Sequence, residues 1–227
     1  NSTTSATSYF WEAAGASPST STEVNPSFVY GTAGNYELKL TATNGKQTQI
    51  ISKTITVFPD TNLSIQNNIK LGINTAHASL GCFYATKEKK VYKKSEVTSA
   101  TSKNIDVVFF GLNSSFSSNR FVSPAEARNY TFDPIPNGTA TDFVNKQETC
   151  SCATISAIQF TSMTDDSLLK DRTISNQNTD FTDSVLPRIV LFQTHDGRKG
   201  AIKIKSFVPD GLNSYIVVDI KVQKNKN

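Results

Sequence analysis

The chain has 227 residues, with 23 Lys and Arg against 19 Asp and Glu, a formal charge of +4 and a pI near 8.9. That is room for one large or two modest domains, with a hydrophobic core that needs neither metal nor disulfide staples. No run of roughly 18 apolar residues is present to span a bilayer. The weak positive balance lacks the dense basic stripe of a duplex reader, so no nucleic acid is expected as a partner.

Thr, Ser and Asn are abundant, and 14 Phe and 7 Tyr stand beside one Met and one Trp. Such a mixture suits pleated, half-buried surfaces better than helices, so the expected class is all-β. Tyr9-Phe10-Trp11 opens the first strand, and a loop of small and polar residues follows from Gly15 to Asn25. Ser27 to Tyr30 reads as a strand, closed by a turn at Gly31 to Gly34. Tyr36, Leu38, Leu40 and Ala42 then alternate with Glu37, Lys39 and Thr41, the period of a strand with one buried face. Asn44-Gly45 is a hairpin signal, and the return strand runs from Gln49 to Phe58 until Pro59-Asp60 stops it.

These residues carry a resemblance. Tyr9-Phe10-Trp11, the segment Ser21 to Tyr30, Ala33 to Leu38, Thr41 to Gly45 and the closing Thr54-Ile55-Thr56-Val57 together resemble a PKD (polycystic-kidney-disease-like) domain, an immunoglobulin-type sandwich. Two departures accompany it. The acidic loop usual after the Trp is replaced by Glu12 to Ala16, and the family's first two strands are absent from residues 1–59. The resemblance implies a PKD-like module over 1–59 whose first two strands either lie upstream of Asn1 or are lacking, in which case something else covers the exposed edge.

Residues 60–69, rich in Asn and Gln, read as a linker, and 70–227 as a larger antiparallel β domain with one or two short helices. Phe83-Tyr84-Ala85 and Lys90-Val91-Tyr92 flank a lysine cluster as a hairpin, and Asn104 to Leu112 is a near-continuous apolar, central strand. Ser123-Pro124-Ala125-Glu126 has the form of a helix start, with Ser at the N-cap and Pro at the first position. Thr164 to Lys170 reads as a second helix. Leu186 to Gln193, Gly200 to Val208 and Ser214 to Gln223 form a meander joined by Asp196-Gly197 and Asp210-Gly211 turns, with one solvated face. Lys103 to Phe110, Val122 to Ala127 and Asp196 to Ser206 are similar to strings in surface lipoproteins of Bacteroidetes-type bacteria, which implies an exported, β-rich protein and no particular chemistry.

No nucleophile, zinc, phosphate or dinucleotide motif is present, so no catalytic residue, metal or cofactor is expected. His195 reads as a turn residue and His77 as a packed or solvated one. Asp165, Asp166 and Asp106 are the carboxylates that a glycoside hydrolase reading would need. Lys87, Lys89, Lys90, Lys93 and Lys94 read as a solvated hairpin, with a polyanion or membrane-surface patch as the functional alternative. Cys150 and Cys152 flank one residue on what reads as a strand, which argues against a bridge between them and leaves Cys82 to pair with either. Binding residues concentrate on loops. Phe116, Phe121, Tyr130, Phe132 and Asn137, in a loop-rich stretch, are the candidate ligand platform. The expected function is surface binding or adhesion toward a glycan or protein ligand at the cell surface or outer membrane. Membrane attachment is expected only through a lipid anchor upstream of Asn1. The alternative is a scaffold component of an outer-membrane complex, and behind it a glycoside hydrolase.

Overall fold

The structure is a computed structural model that describes residues 6–177 and 179–226, and it divides into two compact units, residues 1–60 and 61–227. The fold is all-β and antiparallel, with short helical segments.

In the first unit, β1 (Ser8–Ala13), β2 (Ala16–Ser17), β3 (Thr20–Ser21), β4 (Val29–Tyr30), β5 (Gly34–Thr43) and β6 (Thr48–Val57) form a four-stranded sheet in the order β3-β1-β5-β6 and a small β2-β4 ribbon. The register sets Trp11 beside Leu40 and Leu40 beside Ile51, so these side chains share one face. Trp11 meets Phe28 at 6.4 Å, and its indole N–H donates to the Glu23 carbonyl at 3.0 Å. Tyr36 packs on Tyr30 at 4.6 Å and lies over Gly15, where φ is +85° and a Cβ would come within 2.4 Å of the ring. The buried apolar residues described here are Ala13, Leu40 and Ala42, a thin core for a sheet of this size. The outer strand β6 leaves Ile50 and Ile51 57% and 69% exposed. Residues 1–5, the start of the module expected over 1–59, lie outside the described residues.

The second unit holds β7 (Leu63–Gly72), β8 (Phe83–Ala85), β9 (Lys90–Tyr92), β10 (Val107–Gly111), β11 (Asn119–Val122), β12 (Asp142–Val144), β13 (Arg188–Gln193), β14 (Lys199–Val208) and β15 (Tyr215–Gln223). Two sheets, β11-β10-β8-β9 and β12-β13-β14-β15-β7, contribute to one core. Central strand β10 is buried along its whole length, as its apolar run requires. Alternation along β13 divides its side chains: Val190 and Phe192 enter the shared core, while Ile189 and Leu191 enter a second cluster with Phe160, Met163 and Leu169. Burying each such large apolar side chain is worth about 1.5–3 kcal/mol, so a sheet covered on both faces is the stable core of this unit.

Several expectations are corrected. Residues 60–69 are not a linker, because Leu63–Gly72 is the edge strand β7 paired with β15. Its polar look comes from a bulge at Asn67-Asn68, where Asn68 takes φ +59° and donates its backbone N–H to Asp219 Oδ1 at 2.8 Å. Asn tolerates this left-handed geometry better than most residues. The segment Thr164 to Lys170 forms turns, and the α-helix is α1 (Ala157–Ser162), whose N-cap Ser156 accepts from the Gln159 N–H at 3.1 Å and completes a capping box. Pro124–Tyr130 is 3-10 helical. The outward face of β15 is not left to solvent. Lys221 and Gln223 are buried there, and the Lys221 ammonium donates to the carbonyls of Phe160 at 2.7 Å and Met163 at 2.6 Å. A cation at the end of α1 satisfies carbonyls that the short helix leaves open.

The cysteine expectation also fails. Cys150 and Cys152 are bonded to each other with Cα atoms 5.2 Å apart, and Cys82 is buried and free. The segment is not a strand: it follows the 3-10 turn Gln147–Thr149, which brings the two Cα atoms within disulfide reach.

Candidate functional site

The expected aromatic platform does not form. Phe116, Phe121 and Phe132 are 2%, 1% and 5% exposed, each packed in the shared core. Phe121 sits against Phe109 at 5.4 Å and Phe143 at 6.1 Å, Phe116 against Phe207 at 5.0 Å, and Phe132 against His77 at 5.6 Å. Tyr130 is half-buried on Phe110 and accepts a hydrogen bond from Arg120. Asn137 is exposed in a left-handed turn, φ +55°. Phe121 thus faces the core from strand β11, while Phe116 and Phe132 reach it from the connections, which supply core rather than display.

The polar residues converge elsewhere. Three segments meet at one end of the unit: the β8–β9 turn at 86–89, the residues entering β10 at 103–106, and the β13–β14 hairpin at 194–198. Arg198 lies at the centre, 3% exposed. Its Nε donates to both Asp196 oxygens at 3.1 and 3.0 Å, its Nη1 to Thr86 Oγ1 at 2.9 Å and the Gln223 carbonyl at 3.4 Å, and its Nη2 faces Asp106 at 3.5 Å. Asp106, also 3% exposed, accepts from the Thr86 backbone N–H at 2.9 Å and its hydroxyl at 2.5 Å. Thr194 donates to Asp196 at 2.5 Å, and Lys87 Nζ reaches the same carboxylate at 2.8 Å. The hairpin is held by the Gly197 N–H bonding the Thr194 carbonyl at 2.8 Å, with Gly197 at φ +83°. Partial burial opposes ionisation of Asp196, but hydrogen bonds from Lys87, Thr194 and Arg198 outweigh it and hold the carboxyl well below the usual range. Tyr92 is pushed up to about 12, chiefly by its hydrogen bond to Glu88.

Two concavities open on this network. One, of about 520 Å³, is lined by Lys87, Glu88, Lys103, Asn104, Asp106, His195, Asp196 and Arg198. The other, of about 220 Å³, is lined by Ser64, Thr86, Lys87, Lys89, Arg198, Val222, Gln223 and Lys224. Lys87 and Arg198 border both. A third cavity of about 590 Å³ lies beside the disulfide, but its Arg172 is engaged by the carbonyls of Leu168, Ala153 and Thr154.

His195 is exposed in the hairpin turn at the mouth of the 520 Å³ cavity, whereas His77 is packed edge-on against Phe83 and Phe132. Asp165 and Asp166 are acceptors for local structure, Asp165 for the Ser167 N–H at 2.9 Å and Asp166 for Asn62 and Gln223 at 2.9 Å. Among the described residues no group of three His, Cys, Asp or Glu side chains is placed to hold a metal ion, and no helix is long and apolar enough to cross a membrane. Sequence reading missed the Thr86–Arg198 network. Its only local signals are Thr194, Asp196 and Arg198 around an Asp-Gly turn and a Thr beside the lysine cluster.

No protein-family model matches the chain, and no curated protein matches it. Among solved structures the chain is similar to a DUF4466 family protein from Parabacteroides merdae, with 13% sequence identity and a TM-score of 0.45 over 97% of this chain and 87% of that one.

Proposed function

We propose that the chain is a non-enzymatic binding protein of a bacterial cell surface, in which a PKD-like first unit acts as a spacer and the second unit captures a glycan. The carrying observation is the 520 Å³ cavity, a size suited to a small ligand, whose walls carry Glu88, already bonded by Asn104 and Tyr92, Asp196, already paired with Lys87, and Lys103. The buried Arg198 network fixes those walls before a ligand arrives, which lowers the ordering cost of binding. With the Phe side chains committed to the core, recognition rests on hydrogen bonds to sugar hydroxyls rather than on ring stacking. A hydrolase needs a carboxyl that keeps its proton, whereas hydrogen bonds hold Asp196 well below the usual carboxylate range and Asp106, almost fully buried, is committed to Thr86 and Arg198.

A glycan array followed by calorimetry tests this reading. A hit weakened by Asn104→Ala and Glu88→Ala is expected, and a blank array would remove glycans as the ligand class. One observation favours the scaffold alternative: the outer strand β6 displays Ile50 and Ile51 on a sheet edge that pairs with no other strand among the described residues, a surface suited to strand addition by a partner protein. Envelope proteins retained by the wild-type chain and lost with Ile51→Lys would establish it.

A further inference from the structure

We infer that the Cys150–Cys152 disulfide is a redox-exchanging pair, which a dithiol reductant opens and an oxidised thiol closes while the second unit stays folded. Its cavity shares no lining residue with the two at the Arg198 network, so the inference stands apart from the glycan reading. A disulfide stabilises a fold chiefly by restricting the unfolded chain, and more so for longer loops. A ring that spans one intervening residue, Ser151, restricts it very little. The segment is also held without the bridge. The Gln147 side chain accepts from the Ile155 N–H at 2.7 Å and donates to the carbonyls of Ile155 and Ile189, both at 3.1 Å. Arg172 donates to the carbonyls of Ala153 and Thr154, and Gln177 to the Lys146 carbonyl and the Thr149 hydroxyl. Opening the bridge therefore frees the short arc 150–152 and leaves its anchors in place, so the two sulfurs stay near enough to rejoin.

Exchange also needs access. Cys150 and Cys152 are partly exposed and line the 590 Å³ cavity together with Thr149, Ser151, Thr173 and Ser175, small hydroxylated side chains that leave room for an incoming thiol. The rim sets Asp171 against Arg172, charges of opposite sign that offset each other for an approaching thiolate. The reduced form has a partner in place: Cys150 Sγ lies 3.2 Å from the Gln147 carbonyl, which accepts the thiol hydrogen. Cys82, buried in the shared core, takes no part. In the forward step one thiolate of the dithiol attacks a sulfur of the bridge. A mixed disulfide forms, and the other cysteine leaves as a thiolate that takes up a proton. The second thiolate then attacks the donor's sulfur in the mixed disulfide, which releases the remaining cysteine and closes the donor's own disulfide. Two electrons and two protons pass from the dithiol to the chain.

The test incubates the intact chain in native buffer with dithiothreitol, quenches with iodoacetamide at intervals and maps the adducts by mass spectrometry. Two adducts are expected, on Cys150 and Cys152, with Cys82 unlabelled. Their rate should lie within about tenfold of that for the isolated peptide 148–154 carrying the same bridge, because access sets the difference. The melting temperature of the reduced chain should stay within about 5 °C of the oxidised one, since so small a ring contributes little. Oxidised glutathione should then restore the bridge. Reduction slower than the peptide's by more than tenfold, labelling of Cys82 along with the pair, or a larger fall in the melt would overturn the inference and mark the bridge as a structural staple. Failure to reclose under oxidised glutathione would overturn it as well.

Discussion

Replacing Arg198 by Met keeps the length of the stem and removes the charge at the centre of the polar network. Arg198 is 3% exposed and serves Asp196, Thr86, the Gln223 carbonyl and Asp106. Without it Asp196 retains Lys87, but Asp106 keeps only the two Thr86 donors around a buried negative charge. Removing one partner of a buried pair costs about 3–5 kcal/mol. The retained donors place the expected loss at the low end, about 3 kcal/mol, a large share of the 5–15 kcal/mol that holds a typical domain folded. Urea denaturation followed by far-UV circular dichroism measures it. Fluorescence would mislead, because the single Trp, Trp11, lies in the first unit and reports that unit's unfolding. Adding Asp106→Asn to Arg198→Met should return at least about 1 kcal/mol by removing the stranded charge. A loss below about 1 kcal/mol, or no return from the second substitution, would refute the network as a buried, charge-balanced support for the site.

Three further outcomes follow from the same geometry. Because the Asp196 pKa is depressed on folding, its contribution is fully present above the unfolded value near 3.9 and fades as pH falls through the folded value. Asp196→Asn should therefore lower stability at neutral pH, and its gap from wild type should narrow in acid below about pH 4; a gap constant across that range would be contrary. Phe121→Ala should cost about 3–5 kcal/mol as a core cavity and alter ligand affinity only through unfolding; full stability with lost binding would restore an aromatic site there. Thiol titration with an aromatic disulfide reagent should find no reactive thiol in the native chain and one after denaturation, since Cys82 is buried, its thiol pushed up by desolvation, and the other two cysteines are bonded. Three thiols in unreduced, denatured protein would contradict that pairing.

The strands with strict alternation were legible from the chain itself. The Tyr36 to Ala42 run, the Asp-Gly meander and the apolar run through Val107 to Phe110 each appear where periodicity and turn chemistry place them. Strand β7 was hidden because its bulge fills the middle of a strand with Asn67-Asn68, and their reason for being there is Asp219, far away in sequence. Lys221 looked like a solvent-facing residue by parity, yet α1 lies over it and takes its ammonium. The site was illegible for a similar cause. Thr86, Asp106 and Arg198 are separated by 20 and 92 residues, and each alone reads as a turn, a strand flank and a hairpin charge. The Phe residues misled in the opposite direction, since aromatic side chains in a loop-rich stretch look the same whether they face solvent or fill the interior.

The most direct test of the central claim is to map a bound glycan onto the chain by amide chemical shifts in two-dimensional NMR. The account expects the largest shifts at residues 86–89, 103–106 and 194–198, with little change around the Cys150–Cys152 cavity or in residues 8–57. Shifts concentrated at the disulfide cavity, or on the first unit, would contradict the placement of the site at the Arg198 network.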